Sequence, residues 1–200
     1  MESKRTQASR TAATRAALVA AARPLFAERG FAAVGTDEIA RAAGVTRGAL
    51  YHQFAGKTDL FAAVFETVEA EIAARLAAAL GDGGSGDPVA TLHDGIDGWL
   101  AACADPEVHR IVLIEAPAAL GWERWREIGR RYGVGLVEAV VQGLLDAGRL
   151  PPQPVLPLAH VLVGALEEAA LFAARADDRA QATADVRAAL VRLVDGLVVP

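Results

Sequence analysis

The stretch from Thr36 to Leu60 constrains the fold more than any other part of the chain. Thr36 stands where a helix N-cap belongs, its side-chain oxygen able to accept from the free amides of the first turn. Ile39, Ala40 and Ala43 supply the inner face of a short helix that stops at Gly44, because glycine tolerates the left-handed conformation beyond a helix end. Val45 turns inward, and Thr46 caps a second short helix running to about Phe54, with Leu50 and Phe54 on one face at helical spacing. Helix, short glycine turn and second helix together make a helix-turn-helix, the unit that lays its second helix in the major groove of DNA. The outward side of that helix carries Thr46, Arg47, Gly48, Tyr51 and His52, with hardly any carboxylate, which suits contact with phosphates and base edges. Gly48 costs roughly 1 kcal/mol of helix propensity against alanine, a cost that makes sense where backbone must approach another molecule closely. A plain helical corner with a solvated outer face is the alternative reading of the same residues.

The pattern then becomes specific. Thr36, Ile39, Ala40, Ala43, Gly44, Val45, Thr46, Gly48, Tyr51, Phe54, Lys57 and Leu60 agree without a gap with the DNA-binding signature of the tetracycline-repressor (TetR) family of bacterial transcription regulators, which this stretch resembles. The signature covers only the amino-terminal third, roughly Thr11 to Leu60; beyond it the likeness is one of helical layout. The resemblance implies an all-α chain in two parts: a three-helix DNA-binding domain at residues 1–56, and a larger helical ligand-binding and dimerisation domain at residues 57–200. It implies a double-stranded DNA operator, a small-molecule ligand and a homodimer as partners.

Charge distribution supports the same division. The chain of 200 residues carries a net charge of −5. Residues 1–57 hold nine Lys/Arg against four Asp/Glu, a net of +5, so the remainder carries −10. A basic end on an acidic body is the footprint of a nucleic-acid reader joined to something else. Hydrophobic residues make up 53% of the chain, dominated by the helix formers alanine and leucine, and alternating β-branched runs do not occur. The polar, basic start and the lack of an uninterrupted apolar run of about 18 residues lead to the expectation of a cytoplasmic protein with no membrane partner. Cys103 is the single cysteine, which excludes an intramolecular disulfide and a cysteine-based zinc site. No metal or cofactor is expected.

Taken in order, Met1 to Arg10 reads as a mobile arm whose Lys4, Arg5 and Arg10 could touch DNA. A first helix runs from Thr11 to Arg29, with Pro24 expected to kink or loosen it and Gly30 to end it. Leu18, Phe26, Phe31, Ile39, Leu50 and Phe54 form the expected small core. Lys57 opens a fourth helix to about Leu80 with Leu60, Phe61, Val64, Phe65, Val68, Ile72, Leu76 and Leu80 as its apolar stripe. The glycine-rich loop Gly81–Pro88 follows, then helices at about Pro88–Ala104, Asp105–Pro117, Trp122–Ala147, Pro157–Arg175 and Asp178–Val199.

Arg47 is the expected base reader, since arginine donates two bonds to guanine. Thr36 and Thr46 offer hydroxyls, Gly48 close approach, Tyr51 and His52 phosphate contacts, and Lys57 a charge beside the first-turn amides of its helix. For a ligand pocket the candidates are Trp99, Cys103, Glu115, Trp122, Trp125 and Tyr132, with His93 and His109 as polar possibilities. The resemblance places a four-helix dimer interface on the last two helices, with Leu158, Leu162, Leu166, Val186, Leu190, Val194 and Leu197 as the expected contacts; packing within the chain is the alternative. The function expected is a transcription regulator, a repressor released from a pseudo-palindromic operator by a small molecule. The alternatives are a DNA-binding protein without an effector, or an α-helical enzyme. The last lacks any support from a His-Glu-x-x-His run, a phosphate loop or a nucleophile elbow.

Overall fold

The computed structural model describes residues 2–81 and 87–199, with side chains from residue 9 onward except at 80 and 81. All regular structure among the described residues is helical, as expected. The order is α1 (Glu2–Ala33), α2 (Thr36–Ala42), α3 (Arg47–Gln53), α4 (Lys57–Gly81), α5 (Pro88–Ala104), α6 (Pro106–Val108), α7 (Ala116–Leu120), α8 (Trp122–Gly129), α9 (Gly135–Asp146), α10 (Val155–Arg175) and α11 (Arg179–Asp195). Two π-helical stretches, His109–Glu115 and Arg130–Val134, join α6 to α7 and α8 to α9. Most of the expected glycine-rich loop, residues 82–86, and the side chains of Lys4 and Arg5 lie outside the described residues.

Packing divides the chain into two compact units, residues 1–68 with 106–125, and residues 69–105 with 126–200. The division falls inside α4, not before it at residue 57, and residues 106–125 belong with the reading helices. The first unit holds Leu18, Ala22, Phe26, Val34, Ile39, Leu50, Phe54, Leu60 and Phe61 almost wholly out of solvent. Phe26, Phe31 and Phe61 meet edge-on or tilted at centroid separations of 5.1–6.0 Å. The first turns of α4 are therefore part of this core. Ion pairing ties in residues 106–125, with Arg23 Nε donating to Glu107 Oε1 at 2.5 Å.

Two features of α1 differ from expectation. The helix begins at Glu2, so the arm is helical, and it passes through Pro24 without leaving helical geometry. The Pro24 ring lies on the exposed side, where water can take the carbonyl it orphans. The break comes at Gly30, at φ 78° and ψ 166°. A Cβ there would also fall 2.3 Å from Glu115 Oε1, so both backbone and space demand glycine.

The second unit is built around Ile96 and Leu100 of α5, Val141 and Leu144 of α9, Leu150, Leu162 of α10, and Leu190 and Val194 of α11. Within the single chain the expected dimer contacts divide between buried and partly buried positions. Leu162, Leu190 and Val194 are buried in the chain's own core, and Leu158, Leu166, Val186 and Leu197 pack against it. The apolar side chains left exposed on these two helices are others: Leu156, Val161, Phe172 and Leu193. α10 is also long and apolar enough by composition to cross a membrane, with mean hydropathy 1.6 over 18 residues, although no such helix was expected. Its Glu167 and Glu168 interrupt the stretch, and it packs on α5, α9 and α11.

Candidate functional site

The turn between α2 and α3 is closed by two backbone bonds. Val45 N donates to Ala40 O at 2.9 Å and Gly44 N to Arg41 O at 3.1 Å, with Gly44 at φ 67°. This is the Schellman arrangement, which satisfies carbonyls that a helix end leaves open. Thr46 caps α3 as expected, its Oγ1 accepting from Ala49 N at 3.2 Å. Thr36 does not cap α2. Gly35 takes that position, and Thr36 is the helix's first residue. Its hydroxyl instead lies 3.3 Å from the Tyr51 hydroxyl, linking the start of α2 to α3.

Thr46, Arg47, Gly48, Tyr51 and His52 all lie exposed along α3. Arg47 Nε stands 3.3 Å from Asp37 Oδ1, and its guanidinium sits 5.5 Å from the centre of the Tyr51 ring. The hydrogen bond with Thr36, and then that with Arg47, hold the Tyr51 hydroxyl below the usual tyrosine range. The Arg47–Asp37 pair is solvent-exposed, so it is weak and easily exchanged for another acceptor. Lys57 is more committed. Its Nζ donates to Phe31 O at 2.8 Å and Val34 O at 3.0 Å, and stands 4.3 Å over the Phe31 ring. An ammonium has three donors, so one is left for an outside anion.

The six ligand candidates separate. Trp99, Cys103 and Tyr132 lie in the second unit, and Glu115, Trp122 and Trp125 in the first. Glu115 is engaged there: Phe31 N donates to its Oε2 at 3.1 Å and Arg110 Nε lies 3.6 Å from Oε1. Trp122 is 65% exposed and leans on Trp125 at 5.3 Å. Trp99 donates through Nε1 to Leu166 O at 3.0 Å, which fixes its ring against the apolar cluster. His93 pairs with Asp195 at 2.8 Å, and His109 lies in the π-helical stretch of the first unit.

Sequence reasoning missed a group near Cys103. Glu69 of α4 is only 7% exposed, the one buried charged side chain among the described residues. Burial, and then the charge of Glu167, push its carboxyl up to about 8. Burial also raises Glu167, although Arg126 Nη1 donates to its Oε2 at 3.0 Å and opposes the rise. Cys103 feels the same two acids, after burial, and its thiol is pushed well above its ordinary range. A signal was present: Glu69 stands four residues after Phe65 and three before Ile72, an inner position of the α4 stripe filled by an acid.

Comparison with known proteins gives this geometry its context. A family model described as "Bacterial regulatory proteins, tetR family" matches residues 18–64, and one described as "Tetracyclin repressor-like, C-terminal domain" matches residues 89–197. The chain belongs to the TetR family. It is a DNA-binding transcriptional regulator, and its α2–turn–α3 is the family's helix-turn-helix. The transposon Tn10 TetC protein of Escherichia coli is 31% identical over 203 residues, covering 98% of this chain and 100% of that protein. A TetR-family transcriptional regulator from Pectobacterium atrosepticum, solved by crystallography, superposes with a TM-score of 0.82 at 34% identity, covering 96% of this chain and 97% of the other. RolR, crystallised with resorcinol, shares the fold at 24% identity and a TM-score of 0.75, covering 93% of this chain and 89% of its own.

Proposed function

We propose that this TetR-family chain is a repressor that binds a pseudo-palindromic operator as a homodimer and leaves it when a small molecule occupies its second unit. The observation that carries the reading is α3 itself: capped by Thr46, anchored by buried Leu50, and presenting Thr46, Arg47, Gly48, Tyr51 and His52 on an exposed side without a carboxylate. Arg47 reads a base, Thr46 and Gly48 allow close approach, and Tyr51, His52 and Thr36 meet the phosphates. Lys57 adds its remaining donor at the start of α4. The family's effectors are small molecules, and the resorcinol complex of RolR is one instance on this fold. Trp99, Cys103 and Tyr132 are the ligand-domain candidates we retain. Glu115 is better explained as a structural acceptor for Phe31. Acting on DNA places the protein in the cytoplasm, and its relatives are regulators, not enzymes.

Fluorescence anisotropy tests this reading, with labelled DNA from beside the protein's own gene, scrambled DNA as control, and two salt concentrations. Tight, salt-sensitive and sequence-selective binding is expected. Equal weak binding to both DNAs would instead favour a non-specific DNA binder without an effector.

A further inference from the structure

Resting on the regulator reading above, we propose that Asp37 is a specificity-determining residue of the DNA-reading surface, presenting Arg47 to a guanine and itself accepting from the amino group of a cytosine in the adjoining base pair. Three acids stand between Thr36 and Leu60. Glu38 is paired with Arg29, and Asp59 accepts from Arg124 Nη1 at 2.6 Å. Asp37, in the first turn of α2, reaches α3 instead. Its Oδ2 accepts from Arg47 Nη1 at 3.4 Å, and its Oδ1 lies 3.3 Å from Arg47 Nε. The two side chains are 61% and 63% exposed, so the pair stands in the open beside Thr46, Gly48, Tyr51 and His52.

A guanidinium carries five N–H donors in one fixed plane. Asp37 meets the Nε and Nη1 donors, which leaves those of Nη2 and a second on Nη1 for the O6 and N7 acceptors of guanine. The Tyr51 ring, 5.5 Å from the guanidinium and with its hydroxyl 3.3 Å from that of Thr36, further limits the swing of Arg47. In water such a pair is weak; a base pair that displaces solvent lowers the local dielectric and strengthens it. The carboxylate keeps unused lone pairs, since each oxygen accepts more than one bond. In the major groove cytosine shows a donor alone, its N4 amino group. Guanine and thymine show acceptors, and adenine sets the N7 acceptor beside its amino group. A carboxylate therefore favours cytosine over the other three bases. Adjoining base pairs are about 3.4 Å apart along the helix axis, close to the 3.3–3.4 Å between Asp37 and Arg47, so the two side chains can address neighbouring pairs. Asp37 also weakens the pull of this surface on phosphate, because a carboxylate beside a polyanion is repulsive. General affinity is lowered and discrimination between sequences is raised.

The test begins by selecting DNA from a randomised duplex library with the full wild-type chain. Anisotropy competition then compares the selected operator, its single base-pair variants and scrambled DNA, using wild type, Asp37→Ala, Asp37→Asn, Arg47→Ala and the Asp37→Ala/Arg47→Ala double variant. The selected half-site is expected to hold a guanine and, in the adjoining pair, a cytosine. Asp37→Ala should lose about tenfold in preference for that cytosine and part of the preference for guanine, while binding scrambled DNA at least as tightly as wild type. Added to Arg47→Ala, it should cost no further guanine preference, because its effect there passes through Arg47. Asp37→Asn keeps the shape of the side chain and should shift the same two readouts in the same directions, with an unchanged melting curve. Opposite movement of discrimination and general affinity is what a merely structural role cannot produce. An unaltered cytosine preference in both Asp37 variants, or a uniform loss on all DNAs, would overturn the proposal and leave the regulator reading intact. A wild-type chain that enriches no sequence would sink that reading and this proposal with it.

Discussion

Arg47 is held between Asp37 and the Tyr51 ring, so it is presented to solvent in one orientation without being tightly committed. Arg47→Ala is expected to reduce discrimination between operator and scrambled DNA by about 1–3 kcal/mol, read by anisotropy competition; unchanged discrimination would remove Arg47 from base readout. Lys57 combines two jobs. Its bonds to Phe31 O and Val34 O tie the end of α1 and the approach to α2 onto α4, so Lys57→Ala should lower the melting temperature as well as weaken binding to all sequences alike. A salt dependence flattened by about one phosphate would place its third donor on DNA. Glu69 makes a prediction about pH. Its folded pKa lies above its unfolded value, so the native state binds more protons, and stability falls as pH rises from about 4.5 towards about 8. Glu69→Gln removes that fall. The variant should gain on wild type by a few kcal/mol at the order-of-magnitude level between pH 5 and pH 8.5 in thermal melts. At this scale the sequence showed which residues face outward on α3, because helical period and capping rules are local. It did not show that Thr36 would join Tyr51 while Gly35 capped, nor what Lys57 touches, because both depend on where distant backbone passes.

The elements were legible where a local signal ends them and obscure where packing does. Gly44 stops its helix as the sequence suggests, and Gly148 stands just beyond α9, both at positive φ. Gly44→Ala should destabilise the first unit by roughly 1 kcal/mol, and its effect on operator binding should follow the fraction folded in a melt; a loss of binding at full folding would give the turn a direct role. Gly30 is more demanding, since alanine there faces both a glycine-only conformation and the Glu115 carboxylate. A cost on the order of 1–3 kcal/mol is expected. Neither π-helical stretch was foreseen. Each lies inside a run whose propensity and apolar period are those of ordinary α-helix, so only the accommodation of an extra residue against neighbours creates it. Glu115, one of the pocket candidates, closes the first such stretch. Its actual partner is a backbone amide 84 positions earlier.

At the scale of the whole molecule, the question is which surface a second copy would cover. The expected contacts were chosen by hydrophobicity and helical period, and these criteria cannot tell an inner stripe from an outer one where apolar residues such as Val161, Phe172 and Leu193 also stand on the outer side. Leu162, Leu190 and Val194 belong to the inner stripe. Val161, Phe172 and Leu193 remain in water at 64%, 59% and 45% exposure. Val161 and Phe172 are eleven residues apart, three helical turns, and so share one side of α10. Large apolar side chains aligned in this way are what an interface leaves open in the isolated chain. The two stripes make opposite predictions. Phe172→Glu with Leu193→Glu should leave a folded monomer, with an unchanged melting curve at low concentration, and should lose tight operator binding because a single head makes half the contacts. Leu190→Glu should instead unfold the second unit, since it places an unpaired charge in a core. Sedimentation velocity with circular dichroism separates the cases. A folded dimer from the Phe172/Leu193 variant would move the interface off this face. A folded monomer from Leu190→Glu would restore the inner stripe as the contact between copies.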